Sequence, residues 1–92
     1  MIRSFRSRAL RRVWEKSDAR SLNSLHLSRI EYVLDLLEEA SSPEMLNIPG
    51  LHFHKLSGGE SVRWSLRVSA NRRITFSFEG EDAIEVDYED YH

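Results

Sequence analysis

The segment 62–78, VRWSLRVSANRRITFSF, constrains the fold more than any other stretch of the chain. Val62, Trp64, Leu66 and Val68 alternate with Arg63, Ser65 and Arg67; after a break, Ile74, Phe76 and Phe78 alternate with Arg73, Thr75 and Ser77. A period of two is the spacing of a strand with one apolar and one polar face, so the segment predicts two half-buried strands joined as a hairpin. If both apolar rows face one core, Val68 pairs opposite Ile74 and Ser69 opposite Arg73. That leaves a three-residue loop, Ala70-Asn71-Arg72, in which Asn71 tolerates the left-handed backbone such loops need. Arg67 then lies opposite Thr75, and Arg67 and Arg73 become diagonal neighbours on the polar face, roughly 7–8 Å apart at the backbone. Two guanidinium groups that close repel each other unless an anion lies between them. Taken alone, the pair reads equally as two solvated sheet arginines.

The rest of the chain supplies partners for this hairpin. Residues 2–5 are short and apolar at alternate positions, the pattern of a strand added to the sheet. Ser7 suits the cap of a first helix whose inward face is Ala9, Leu10, Val13 and Trp14. Arg8, Arg11, Arg12 and Lys16 fall on its other face, either as a solvated surface with an Arg11–Glu15 pair or as a stripe that tracks phosphates. A second helix is predicted over 24–40, with Leu27, Ile30, Val33, Leu34 and Leu37 forming the stripe of a helix packed on a sheet. Ser41-Ser42-Pro43 ends it. Residues 51–56 return to alternation as a strand, with Leu51, Phe53 or Leu56 inward. Residues 83–88 form the last strand, with Ile84, Val86 and Tyr88 inward. The predicted architecture is therefore α+β: an N-terminal strand and a helical hairpin packed on a mainly antiparallel sheet of about four to five strands.

Ninety-two residues, 40% hydrophobic and 30% charged, suit one domain over 1–92 with a modest core. No apolar run approaches the roughly 20 residues that span a membrane, and the opening residues lack a secretory signal. The absence of cysteine removes disulfide and thiolate chemistry. A cytoplasmic protein that does not engage membranes is the simplest expectation. The net charge of −2 conceals an asymmetry: basic residues crowd 1–20, whereas 79–92 holds seven acidic residues and no Lys or Arg. The two ends either pair with each other or present a local surface to a partner. His52-x-His54 has metal-ligand residue types, but without cysteine or an evident third ligand the reading is that there is no metal site and no cofactor.

The text Trp64-Ser65-Leu66-Arg67-Val68, then Asn71, then Arg73-Ile74-Thr75-Phe76, with Asp90-Tyr91-His92 at the end and Met1-Ile2-Arg3-Ser4-Phe5 at the start, resembles the HigB branch of the RelE-type toxins. These are also called plasmid-maintenance killer proteins, and the resemblance spans the chain. It implies a RelE-like sandwich and a metal-independent endoribonuclease that cuts mRNA codons in the aminoacyl site of the ribosome. It also implies a helix-turn-helix antitoxin as partner, with promoter DNA reached only through the toxin–antitoxin complex. The chemistry it implies, attack by a 2′-hydroxyl on phosphorus, needs a cationic clamp and proton transfer at both oxygens. Arg67 and Arg73 supply the clamp type. His92 is suited to proton exchange near neutral pH, as acid or as base. Tyr91 can stack on a splayed base, and Asp90 either orients His92 or shares the base role. RNA and ribosome contacts fall to Arg8, Arg11, Arg12, Lys16, His54, Lys55 and Arg72. Relatives often carry a lysine where this chain has Ser57, and Lys55, of the same strand parity, is the candidate replacement. Gyrase poisons share the fold without a clustered His/Arg site, and a chain acting only as antitoxin-bound co-repressor is the remaining alternative.

Overall fold

The computed structural model of the chain describes residues 1–59 and 61–90. Helix α1 (Arg8–Lys16) starts where Ser7 predicts: Ser7 Oγ accepts a hydrogen bond from the Leu10 N–H at 3.1 Å. That oxygen satisfies one of the donors a helix start leaves open. Leu10 and Val13 are buried, while Arg8, Arg11, Arg12 and Lys16 are exposed. The expected second helix is split. A 3-10 turn, Ser24–His26, is capped by the Asn23 side chain, which accepts from the Leu25 N–H at 2.9 Å, and α2 (Leu27–Glu39) follows. Ile30, Val33, Leu34 and Leu37 of α2 are completely buried. A second 3-10 turn, Pro43–Leu46, delivers Leu46 to the core, and Leu51 joins it.

Four strands follow: β1 (His54–Leu56), β2 (Arg63–Arg67), β3 (Arg72–Glu79) and β4 (Asp82–Asp90). They lie in the order β1-β2-β3-β4, every neighbouring pair antiparallel. Two helices and then an antiparallel sheet make the expected α+β class. Leu66, Ile74, Phe76 and Val86 form the buried side of the sheet. Phe76 and Phe78 meet edge-on with ring centres 6.0 Å apart, and Trp64 stacks on Phe76 at 6.3 Å. Such pairs add modestly to what burial of the rings contributes.

Three expectations need correction. The hairpin register is Trp64↔Phe76, Ser65↔Thr75, Leu66↔Ile74 and Arg67↔Arg73, two residues away from the predicted one. A slip of two leaves every side chain on its own face, so alternation cannot detect it. The choice is made at the turn. The N–H groups of Val68 and Ser69 both donate to the Arg72 carbonyl, at 2.9 and 3.1 Å, and the Asn71 N–H donates to Ser69 Oγ at 3.3 Å. The loop is therefore Ser69-Ala70-Asn71. Second, β1 begins only at His54, because His52 has φ +51, outside the strand region.

Third, in β4 Ala83 and Val86 are fully buried on the helix side, and Ile84 is not. Between Thr75↔Asp87 and Ser77↔Ile84 the ladder shifts by one residue, and Glu85 takes φ +51. An extra residue in one strand reverses the parity of all that precedes it. The same bulge interrupts the expected N-terminal strand. Residues 2–5 run beside β4 and form two isolated parallel bridges, Ile2↔Ala83 and Phe5↔Val86, rather than a continuous ladder. The Glu85 N–H donates to Ser4 Oγ at 2.8 Å in the gap.

The two oppositely charged ends pair with each other. The terminal amine lies 3.3 Å from Asp82, Arg3 meets Glu79 and Asp82, and Arg6 lies 3.3 Å from Glu85. All are exposed pairs, so each contributes little on its own. Ser7→Ala is expected to cost about 1 kcal/mol of stability in urea unfolding, with Ser7→Asp close to wild type. An unchanged midpoint for Ser7→Ala would show that the cap does not matter to this helix.

Candidate active site

The sheet face turned away from the helices carries His54 from β1, Arg63, Ser65 and Arg67 from β2, Arg73, Thr75 and Ser77 from β3, and Asp87 and Glu89 from β4. It is not the solvated face that alternation suggests. Ser65, Thr75 and Ser77 are only 1%, 0% and 4% exposed. Buried hydroxyls need partners, and Arg63 supplies two of them. Its guanidinium lies across β3, donating to Thr75 Oγ1 at 2.9 Å, to Ser77 Oγ at 3.2 Å and to the Glu85 carbonyl at 2.8 Å. Ser77 Oγ donates onward to the Val62 carbonyl, and Thr75 Oγ1 donates to Glu89 Oε2. Burial lowers the Arg63 pKa, and Arg6 pushes the same way, while Glu89, Glu85 and Asp87 oppose the shift. An arginine starts so far above neutrality that it stays a cation.

The corrected register changes the geometry of the arginine pair. Val68 and Arg72 form a hydrogen-bonded pair, so Arg67 and Arg73 form the adjacent non-bonded pair, with Cα atoms about 4.5 Å apart. The Arg67 N–H points the other way, to the Leu51 carbonyl at 2.7 Å. Like charges directly opposite each other destabilise a sheet. The counter-charge comes from Glu89, the ladder partner of Arg73, whose Oε1 lies 3.9 Å from Arg73 Nη2. Arg67 Nε donates to the Ser69 carbonyl at 3.2 Å.

Two adjoining hollows run over this face. One, of about 450 Å³, is lined by His52, Phe53, His54, Ser65, Arg67, Ala70 and Arg73. The other, of about 730 Å³, is lined by residues that include Arg6, His54, Ser57, Arg63, Arg73 and Glu89. His54 and Arg73 border both, so they form one open groove. Such a groove suits an extended anionic chain: guanidinium forks grip phosphate oxygens, and an imidazole at the rim can exchange a proton.

Of the residues singled out in the sequence, the fold brings Arg67, Arg73 and His54 together. It separates Arg72 and Asp90 from them. These two are ladder partners on the helix side of the sheet, joined by an ion pair of 2.7 Å, and the Arg72 guanidinium sits 4.6 Å from the centre of the Tyr88 ring. Burial raises the Tyr88 pKa, which Arg72 partly offsets. Lys55 pairs with Trp64 and so lies on the face opposite Arg67 and Arg73; it does not stand in for a lysine in the groove. Ser57 itself lines the groove, just past the end of β1. Arg8, Arg11, Arg12 and Lys16 border a separate hollow on α1, with Arg11 3.2 Å from Glu15. Tyr91 and His92 lie outside the described residues. Among the described residues no group of three His, Cys, Asp or Glu stands close enough to share a metal ion.

Glu89, Thr75, Arg63 and Arg6 enter the site without having been singled out. For Glu89 the signal is in the alternation itself: with Tyr88 inward, Glu89 must share the face of Arg73, and Asp90 must not. Arg63 carries no such signal, since an arginine at a strand start looks solvated until its neighbours are placed.

The family described as "RelE-like toxin of type II toxin-antitoxin system HigB" matches residues 3–92. The chain is 36% identical to the "Endoribonuclease HigB" of Proteus vulgaris over 92 residues, the full length of both. The geometry predicts which cations meet RNA. Arg67→Ala is expected to weaken binding of a single-stranded RNA oligonucleotide and to reduce the slope of log K against log salt by about 0.7. Lys55→Ala is expected to leave the groove's contribution unchanged. Fluorescence anisotropy titrations at several salt concentrations check both, and an equal loss in the two variants would contradict the placement of Lys55.

Proposed function

The chain belongs to the HigB-like, RelE-type toxins of type II toxin–antitoxin systems, and from that premise we propose that it is an endoribonuclease that cuts mRNA in the aminoacyl site of translating ribosomes. The observation that carries this reading is the directly opposed Arg67–Arg73 pair at the base of a groove bordered by His54 and Glu89. Two forks at that spacing can hold both non-bridging oxygens of one phosphodiester. Their charge stabilises the pentacoordinate transition state more than the ground state, which is the condition for catalysis.

The reaction proceeds without a metal ion or cofactor. A base removes the proton of the 2′-hydroxyl; the 2′-oxygen bonds to phosphorus as the bond to the 5′-oxygen breaks. An acid protonates the leaving oxygen, giving a 2′,3′-cyclic phosphate and a 5′-hydroxyl. His92, two residues beyond Asp90 in the sequence, takes one of these proton transfers, and Tyr91 stacks on a base of the splayed codon. His54, on the groove rim, is placed for an RNA contact or the second transfer. Asp90, ion-paired to Arg72 on the other face, is assigned to holding the end of β4 rather than to proton transfer. The exposed cations Arg8, Arg11, Arg12 and Lys16 of α1 are assigned to ribosomal RNA phosphates.

A type II toxin has a cognate antitoxin. We assign this one to the helix-turn-helix class, with promoter DNA contacted only through the complex. Among the described residues no helix is long and apolar enough to cross a membrane, and action on ribosomes places the work in the cytoplasm. Primer-extension mapping of cut sites in a purified translation system tests the proposal. Wild type is expected to cut within codons only when ribosomes translate, and Arg73→Ala and His92→Ala to lose about 10²-fold or more in rate. A folded, antitoxin-free wild type that leaves mRNA intact would sink the nuclease reading in favour of gyrase inhibition or antitoxin-dependent repression.

A further inference from the structure

Arg63 and Thr75 hold more of the site than their distance from its rim suggests. Arg63 reaches Thr75 Oγ1, Thr75 reaches Glu89 Oε2, and Glu89 Oε1 faces Arg73. The series crosses three strands and ends on the arginine that the nuclease reading places on the scissile phosphate. We propose that Arg63 and Thr75 are positioning residues, which act on Arg73 through Glu89 and fix the Arg73 fork beside that of Arg67. The inference rests on the nuclease reading for its catalytic consequence.

Thr75 is completely buried, with its hydroxyl accepting from one side and donating to the other. A hydroxyl in that position fixes the direction of both bonds, since its single proton goes to the carboxylate. Glu89 is thereby held at Oε2, which leaves Oε1 facing Arg73 Nη2 at 3.9 Å, the arrangement of an orienting carboxylate. An untethered glutamate would sample many rotamers, and Arg73, with a like charge directly opposite, would lose the fixed carboxylate that faces it. Arg63 completes the arrangement because its planar fork satisfies Thr75, Ser77 and the bulged Glu85 carbonyl at once. A lysine, with one ammonium on a flexible stem, cannot span all three. The bulge thus contributes directly to the site: its carbonyl is one of the anchors of Arg63.

The distinction from a purely structural role lies in the split between kcat and KM. Misplacing a transition-state contact by a fraction of an ångström lowers kcat while the groove still binds RNA. Thr75→Val, Thr75→Ser and Arg63→Lys are to be compared with wild type in ribosome-dependent cleavage, each rate scaled to the folded fraction measured by circular dichroism. In parallel, the side-chain Nε–H signal of Arg73 is followed by ¹H–¹⁵N NMR on the free toxin. The expected result is a kcat about 10–100-fold lower for Thr75→Val and Arg63→Lys, with KM within about twofold of wild type. Thr75→Ser should restore most of the rate. The Arg73 Nε signal should be ordered in wild type and Thr75→Ser and averaged in Thr75→Val. An unchanged kcat per folded molecule, or a rise in KM alone, would overturn the proposal. An Arg73 signal indifferent to Thr75→Val would overturn it even if cleavage fell. If wild type itself does not cut RNA, the nuclease reading and the catalytic consequence fall together, and the Arg73 signal alone decides whether Thr75 fixes that side chain.

Discussion

Two guanidinium groups directly opposite each other on neighbouring strands are a repulsive contact, and the polar face of the sheet is organised around sustaining it. Arg67 and Arg73 face each other because the turn bonds at Val68, Ser69 and Arg72 select that register over the one two residues away. Glu89 supplies the opposing charge because β4 brings it opposite Arg73. Thr75 and Arg63 hold Glu89 in turn. A pair of like charges kept together in this way presents a concentrated positive potential, which attracts a phosphate.

β3 makes this possible by serving two interiors at once. Ile74 and Phe76 are buried under the helices, and Thr75 and Ser77 are buried on the opposite side beneath Arg63. Four consecutive residues are therefore buried, yet they still alternate apolar and polar. The apolar interior tolerates conservative repacking. The polar one does not, because each buried hydroxyl left without a partner carries its full desolvation penalty. Substitutions at Thr75 or Ser77 should thus be felt differently from those at Ile74 or Phe76.

The helices were the legible part of the sequence. Ser7 caps α1 and the stripe from Ile30 to Leu37 packs as its spacing says, since both signals are local. What sequence could not reveal depended on comparisons between strands. A two-residue slip in the hairpin preserves both faces, and Glu85 gives no warning that it will adopt φ +51, a conformation usually left to glycine or asparagine. The family resemblance pointed to Arg67 and Arg73, which the fold unites with His54. It also pointed to Asp90, which lies on the other face, and not to Glu89, which shares the face of Arg73. Short motifs record residue types in order, whereas membership of a face is settled by parity and bulges.

The parallel bridges between the N-terminal segment and β4 join Ile2 to Ala83 and Phe5 to Val86. They close loops almost as long as the described chain, and Glu89 reaches Arg73 only once β4 is in place. During synthesis the segment 2–5 must therefore wait for β4 before it can pair. Contacts of such sequence separation form late, because their loop-closure entropy is met before they return any stabilisation. The arginine pair lacks its contact with Glu89 on any nascent chain that lacks β4, so the polar face cannot be completed before that strand is made.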